Sequence, residues 1–171
     1  MKLTHFPLHP DTPEDGLTLE QLFAGLNMDI LAAKTRMARL MAEEGLPYGD
    51  RTMTYNSRLA QELAKWAEVQ PGGNAVHDAM YRAYFVDGRN IARVDALVEV
   101  AQQVGLAGNE AREVLETRGY KEAVDGDWQR SVEMGVTGVP TFLVGDRAMV
   151  GAQPYEVLEE LVIEAGAEGR D

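Results

Sequence analysis

The 171 residues contain no cysteine. That absence excludes a disulfide scaffold, a thiolate nucleophile and a Cys-ligated zinc site. Basic side chains are scarce: 16 Lys and Arg face 28 Asp and Glu, a net charge of −12. Such a field repels a phosphate backbone and an anionic leaflet, so neither a nucleic acid nor a membrane is an expected partner. Serine occurs only as Ser57 and Ser131, and neither sits in a Gly-x-Ser-x-Gly elbow. No apolar run approaches the roughly 20 residues of a membrane helix. The leading residues Met1-Lys2-Leu3-Thr4-His5 lack the apolar core of a signal peptide, so a cytoplasmic protein is the expectation. With 45% hydrophobic residues, the chain is long enough for one domain with a real core, or a domain carrying a helical insertion.

Lys2-Leu3-Thr4-His5-Phe6 alternates polar and apolar side chains and reads as a half-buried strand ended by Pro7 and Pro10. Thr18 and Gln21 fit a capping box, with Leu17 and Leu22 at the staple positions, so a short helix is predicted to about Ala24. A second is predicted over Met28–Glu44 with Asn27 as its N-cap, Gly45 as its stop, and a buried stripe of Ile30, Ala33, Met37, Leu40 and Met41. Further helical segments follow: one capped by Asn56 with Leu59, Leu63 and Trp66 on its apolar face, one carrying Val76, Met80, Ala83 and Tyr84, one over Val94–Val104, one capped by Asn109 and one over Tyr120–Met134. At Gly135-Val136-Thr137-Gly138-Val139-Pro140 no helix could continue. Thr141–Val144 and Arg147–Val150 around Gly145-Asp146 read as a β-hairpin, and Pro154 opens a final helix. Strand, many helices, hairpin and helix in that order fit an α/β sheet with a large helical insertion.

Few clusters carry chemistry. His5, His9 and Asp11 have metal-ligand chemistry but no recognised spacing, and read as solvated histidines at a strand end. His77 and Asp78 point about 100° apart on a helix and cannot act as base and orienter. Asp125 and Asp127 flank Gly126 without a calcium-loop ladder. Trp66, Tyr81, Tyr84 and Phe85 could line a cleft, but at helical spacing they read as core. Val139-Pro140 differs from these, because a β-branched residue before proline is forced extended and presents its backbone. Spacing alone favours a trans bond there.

The stretch Gly135-Val136-Thr137-Gly138-Val139-Pro140-Thr141-Phe142, followed by the hairpin, Gly151-Ala152-Gln153-Pro154 and a final helix, resembles the C-terminal half of a DsbA-like thioredoxin-fold protein. Tyr55-Asn56-Ser57-Arg58-Leu59-Ala60 and Tyr84-Phe85-Val86-Asp87-Gly88-Arg89-Asn90-Ile91 resemble its FrnE-like branch, which is related to 2-hydroxychromene-2-carboxylate isomerases. The resemblance implies an incomplete thioredoxin-like α/β fold with a large inserted helical domain. Residues 1–10 would hold its N-terminal strand, 17–118 the helical insertion, and 119–171 the C-terminal thioredoxin-like part. It also implies that Pro140 is the fold's cis-proline and that Gly138, Val139, Pro140 and Thr141 form a substrate-binding loop. That loop would present backbone groups to a peptide or a thiol-containing ligand.

In the family this loop faces a Cys-x-x-Cys at a helix N-terminus, which has no counterpart in this chain. A strand-helix unit of about 30 residues is therefore expected to be missing ahead of Lys2–Phe6. No catalytic residue, metal or cofactor is expected, and thiol-disulfide exchange without a thiolate is excluded. The lost strand would lie between Lys2–Phe6 and Thr141–Val144, so a homodimer or strand-exchanged oligomer is expected to close the gap. Two functions fit: a redox-inactive relative of DsbA-family oxidoreductases, and a non-catalytic binding protein that uses the proline loop and the helical domain. A glutathione-dependent isomerase gains no support, since its serine would fall in the missing unit.

Overall fold

The computed structural model describes residues 2–166. These residues form two compact units, one of residues 9–125 and one of residues 2–8 with 126–166. The division falls inside a helix, after Asp125. Arg58 hydrogen-bonds both the carbonyl of Lys121 and the carboxylate of Asp125, which ties the start of that helix to the helical unit.

The helical unit opens with β1 (Leu17–Thr18), whose last residue is also the N-cap of α1 (Leu19–Leu22). Both halves of the Thr18/Gln21 capping box are present, at 3.1 and 2.8 Å. The helix α2 (Ile30–Glu43) is capped by Asp29, whose Oδ1 accepts the Ala32 N–H, and not by Asn27. The expected burial of Ile30, Ala33, Met37, Leu40 and Met41 is also corrected, because no residue of α2 is buried. Periodicity identifies an apolar face, and among the described residues this one is only partly covered: Ile30 and Met41 at its ends are half-buried, whereas Ala33, Met37 and Leu40 are exposed.

The short strand β2 (Met53–Thr54) pairs antiparallel with β1. Next come α3 (Arg58–Ala67), α4 (Ala75–Tyr81), a π-helical turn over Arg82–Val86, α5 (Val94–Gln103) and α6 (Gly108–Thr117). Leu63 and Trp66 from α3, Val76 from α4, Leu97 and Ala101 from α5, and Ala111 and Leu115 from α6 make one buried core. These residues recur at helical spacing, so each helix turns one stripe inward. At the C-terminal end of the π turn, where helix carbonyls lack intrahelical partners, the Phe85 carbonyl accepts the Gly49 N–H at 2.9 Å. Gly49 is required there, since a Cβ would lie 2.0 Å from the Val86 carbonyl oxygen.

The helix α7 (Lys121–Glu133) leads into the second unit. There β3 (Thr141–Val144) and β4 (Arg147–Val150) form a two-stranded antiparallel hairpin, and α8 (Tyr155–Glu164) follows. Gly145 takes φ +64°, which a two-residue hairpin turn demands of its first residue. The strand expected at Lys2–Phe6 is not formed, although its alternation is real. A strand needs a neighbour offering a ladder, and no described strand pairs with it. The His5 N–H is taken instead by Asp127 Oδ2 at 3.0 Å.

Candidate functional site

The proline loop lies where α7 has ended and β3 begins. Gly135, at φ +70°, stops α7, and its N–H and that of Val136 satisfy the carbonyls of Val132 and Ser131. The chain then turns through Gly138, and the Val139-Pro140 bond is cis. Thr141 closes the loop on itself, its hydroxyl donating to the Gly138 carbonyl at 2.6 Å. From the other side the Gly151 N–H donates to the Pro140 carbonyl at 2.8 Å. Gly138, Val139, Pro140 and Thr141 thus form one built turn, with the Val139 side chain 47% exposed.

Hairpin geometry decides which backbone groups this turn leaves open. Antiparallel pairs alternate between hydrogen-bonded and non-bonded. Pro140 and Gly151 are bonded, so in the register Thr141↔Val150, Phe142↔Met149, Leu143↔Ala148 the groups of Phe142 face β4. Those of Thr141 and Leu143 face the opposite way. The sheet has only two strands among the described residues, so this outer edge of β3 carries no ladder. Its four residues carry no charge that would discourage pairing.

The other candidates disperse. Trp66 is core, as its spacing suggested. Asp125 serves as an ion-pair partner of Arg58 and Lys121, whose hydrogen bonds hold its carboxyl below the usual range. Asp127 caps the His5 N–H, and the Ser131 hydroxyl donates to the Trp128 carbonyl at 2.8 Å. No group of three His, Asp or Glu side chains able to hold a metal occurs among the described residues. No described helix is long and apolar enough to cross a membrane.

Two arrangements escaped the sequence. Arg51 lies over the Tyr84 ring at 4.6 Å and the Phe85 ring at 5.4 Å, and donates to the Tyr84 hydroxyl at 2.6 Å. Tyr84 and Phe85 are therefore not bare core but the seat of a cation, with Thr54 Oγ1 2.9 Å from the Tyr84 hydroxyl. Glu62 is fully buried in α3 and bound by two guanidinium groups, Arg58 at 2.8 Å and Arg118 at 2.8 and 2.6 Å. Burial raises its carboxyl, and the hydrogen bonds and charges of Arg118 and Arg58 more than reverse this, leaving it below the usual range. Locally Glu62 is marked only by its i,i+4 spacing from Arg58, since its second partner lies 56 residues on, in a left-handed conformation with φ +57°.

Over 105 residues the chain is 31% identical to the uncharacterized protein YwbO of Bacillus subtilis (strain 168), covering 61% of this chain and 52% of YwbO. It thus spans about half the length of that relative. A probable DsbA oxidoreductase from Streptomyces coelicolor is 30% identical, with a TM-score of 0.84 over 95% of this chain and 73% of that one. A 2-hydroxychromene-2-carboxylate isomerase shares the fold, at 21% identity and a TM-score of 0.70, over 87% of this chain and 71% of that one. Oxidoreductase and isomerase neighbours together are consistent with a FrnE-like relative of DsbA. The fold is the DsbA-like thioredoxin fold, carrying a predominantly helical insertion. Residues 1–162 match the DSBA-like thioredoxin domain, and the chain belongs to that family.

Proposed function

We propose that these 171 residues make a binding member of the DsbA family that performs no thiol-disulfide exchange of its own. The observation that carries this reading is the open backbone edge at Thr141 and Leu143, next to a turn closed by hydrogen bonds, in a sequence without cysteine. Exchange proceeds by attack of a thiolate on a disulfide sulfur, and no side chain here supplies one. An extended peptide, by contrast, needs only main-chain donors and acceptors to add to a sheet edge. Gly138 and Pro140 shape the turn, Val139 presents its exposed apolar side chain, and Thr141 locks the loop through Gly138. A small thiol-containing ligand such as glutathione, itself a short peptide, fits the same edge. A strand from a second copy is the competing occupant. The cytoplasm is the compartment we propose, on the acidic, cysteine-free composition.

The test pairs an activity with a binding readout. Insulin reduction by the purified protein is expected to equal buffer, and clear turnover would overturn the claim of redox inactivity. Thermal unfolding with reduced glutathione and with an extended apolar peptide is expected to show stabilisation by at least one of them. That stabilisation should vanish in Val139→Asp. No shift with either ligand, or a shift that survives the substitution, rejects the binding role.

A further inference from the structure

We infer that the protein self-associates through α2 of one copy packed on α8 of a second. The helix α2 has 14 residues and none of them is buried. A helix of that length is marginal in water unless an amphipathic face is packed, so this one calls for a cover. Helical spacing places Ala33, Met37 and Leu40 on one strip, with Met37 45% exposed, Arg36 on its margin and Arg39 further round the helix on the same side. Three basic residues, Lys34, Arg36 and Arg39, face one acidic residue, Glu43, within this helix, although the chain as a whole carries −12. Lys34 is paired with Asp50 and Arg39 with Glu43, while Arg36 has no carboxylate partner among the described residues.

The occupant with matching chemistry is on the same chain. Leu161 of α8 is buried and fixes which face of that helix turns inward. The opposite face carries Tyr155, 71% exposed, with Val162 and Ile163, the latter 60% exposed. Glu159 stands between Tyr155 and Ile163, four residues from each, and Glu156 lies beside them. This helix holds four glutamates and no basic residue. An apolar strip flanked by arginine thus meets an exposed face in which Glu159, already accepting the Tyr155 hydroxyl at 3.1 Å, stands between Tyr155 and Ile163, so charge complementarity sets the register. Each copy owns one helix of each kind, so every copy offers both halves of the contact. An anionic membrane is the competing occupant of a basic amphipathic helix, and the net charge of the protein opposes it.

The experiment is light scattering of the whole chain across a concentration series. The wild type is expected to reach twice its 18.8 kDa mass. The pair Arg36→Glu with Arg39→Glu, and separately the pair Glu156→Lys with Glu159→Lys, should each weaken association by roughly tenfold or more. An equimolar mixture of the two variants should re-form the dimer, because the charges then match again. Circular dichroism identifies a pair that has lost helix, and Arg36→Glu with Glu159→Lys alone then replace it. A wild type that stays monomeric overturns the inference, as does one that binds phosphatidylserine vesicles in place of itself. A dimer indifferent to both reversals points to strand exchange at β3, and a mixture that stays monomeric rejects α8 as the occupant.

Discussion

Glu62→Gln tests the energetics of the helical unit directly. The carboxylate is fully buried and accepts three charged hydrogen bonds, one from Arg58 and two from Arg118. Glutamine keeps the volume but removes the charge and aims an amide N–H at a guanidinium. Removing one partner of a buried ion pair costs about 3–5 kcal/mol, because the remaining charge stays uncompensated. Here Arg58 keeps Asp125 and the Lys121 carbonyl, and the Arg118 side chain is 42% exposed. Both reduce the penalty, so the expected loss is about 3 kcal/mol. For a chain of this length that corresponds to a fall of roughly 6–12 °C in Tm. The assay is urea unfolding followed by Trp66, which sits one turn from Glu62 in the core, in a Trp128→Phe background. The acid limb adds an independent check. The folded carboxyl titrates below its unfolded value, so its contribution is complete above the ordinary carboxylate range and is lost as pH falls through the folded value. Wild-type and variant stabilities should therefore differ at neutral pH and converge in acid. A neutral-pH difference under about 1 kcal/mol, or a gap that persists undiminished in acid, refutes the assignment of a stabilising ion triad.

Two further substitutions probe the same unit. Leu63→Ala removes a core side chain with no exposed surface and should cost about 2–5 kcal/mol in urea unfolding; a smaller loss means that α3 collapses into the void. Gly49→Ala puts a methyl against the Val86 carbonyl, so the loop must shift at a cost of about 1–3 kcal/mol. Near-UV circular dichroism should then report Tyr84 losing Arg51, and an unchanged tyrosine spectrum would show that the two contacts are independent.

The elements legible in the sequence are those set by local chemistry. The hairpin bounds follow from Gly138, Pro140 and Gly145, and the start of α1 from Thr18 and Gln21. What failed depended on a partner elsewhere in the chain. The strand pattern at Lys2–Phe6 is intact, but strands are defined by neighbours. The stripe on α2 is correctly phased, but phase does not supply a cover. The pairing of β1 with β2 involves two residues on each side, too few to carry a period. At the candidate site, spacing marks Val139 and Pro140 but favours a trans bond, whereas the bond is cis, because cis and trans share one local sequence. The roles of Glu62 and Arg51 escape the sequence for a related reason. A buried charge is made tolerable by side chains that the fold, not the neighbouring sequence, brings to it.

The π-helical turn over Arg82–Val86 also constrains the chain by length. The Phe85 carbonyl at its C-terminal end reaches Gly49, and the rings of Tyr84 and Phe85 lie against Arg51. Every substitution in this segment leaves that spacing intact, whereas deletion of a single residue would rotate all later side chains by about 100° about the helix axis. The Gly49 anchor and the cation seat would be lost together. Homologues of different length here must therefore change in both segments at once, an insertion or deletion at 82–86 matched by a change at 49–51.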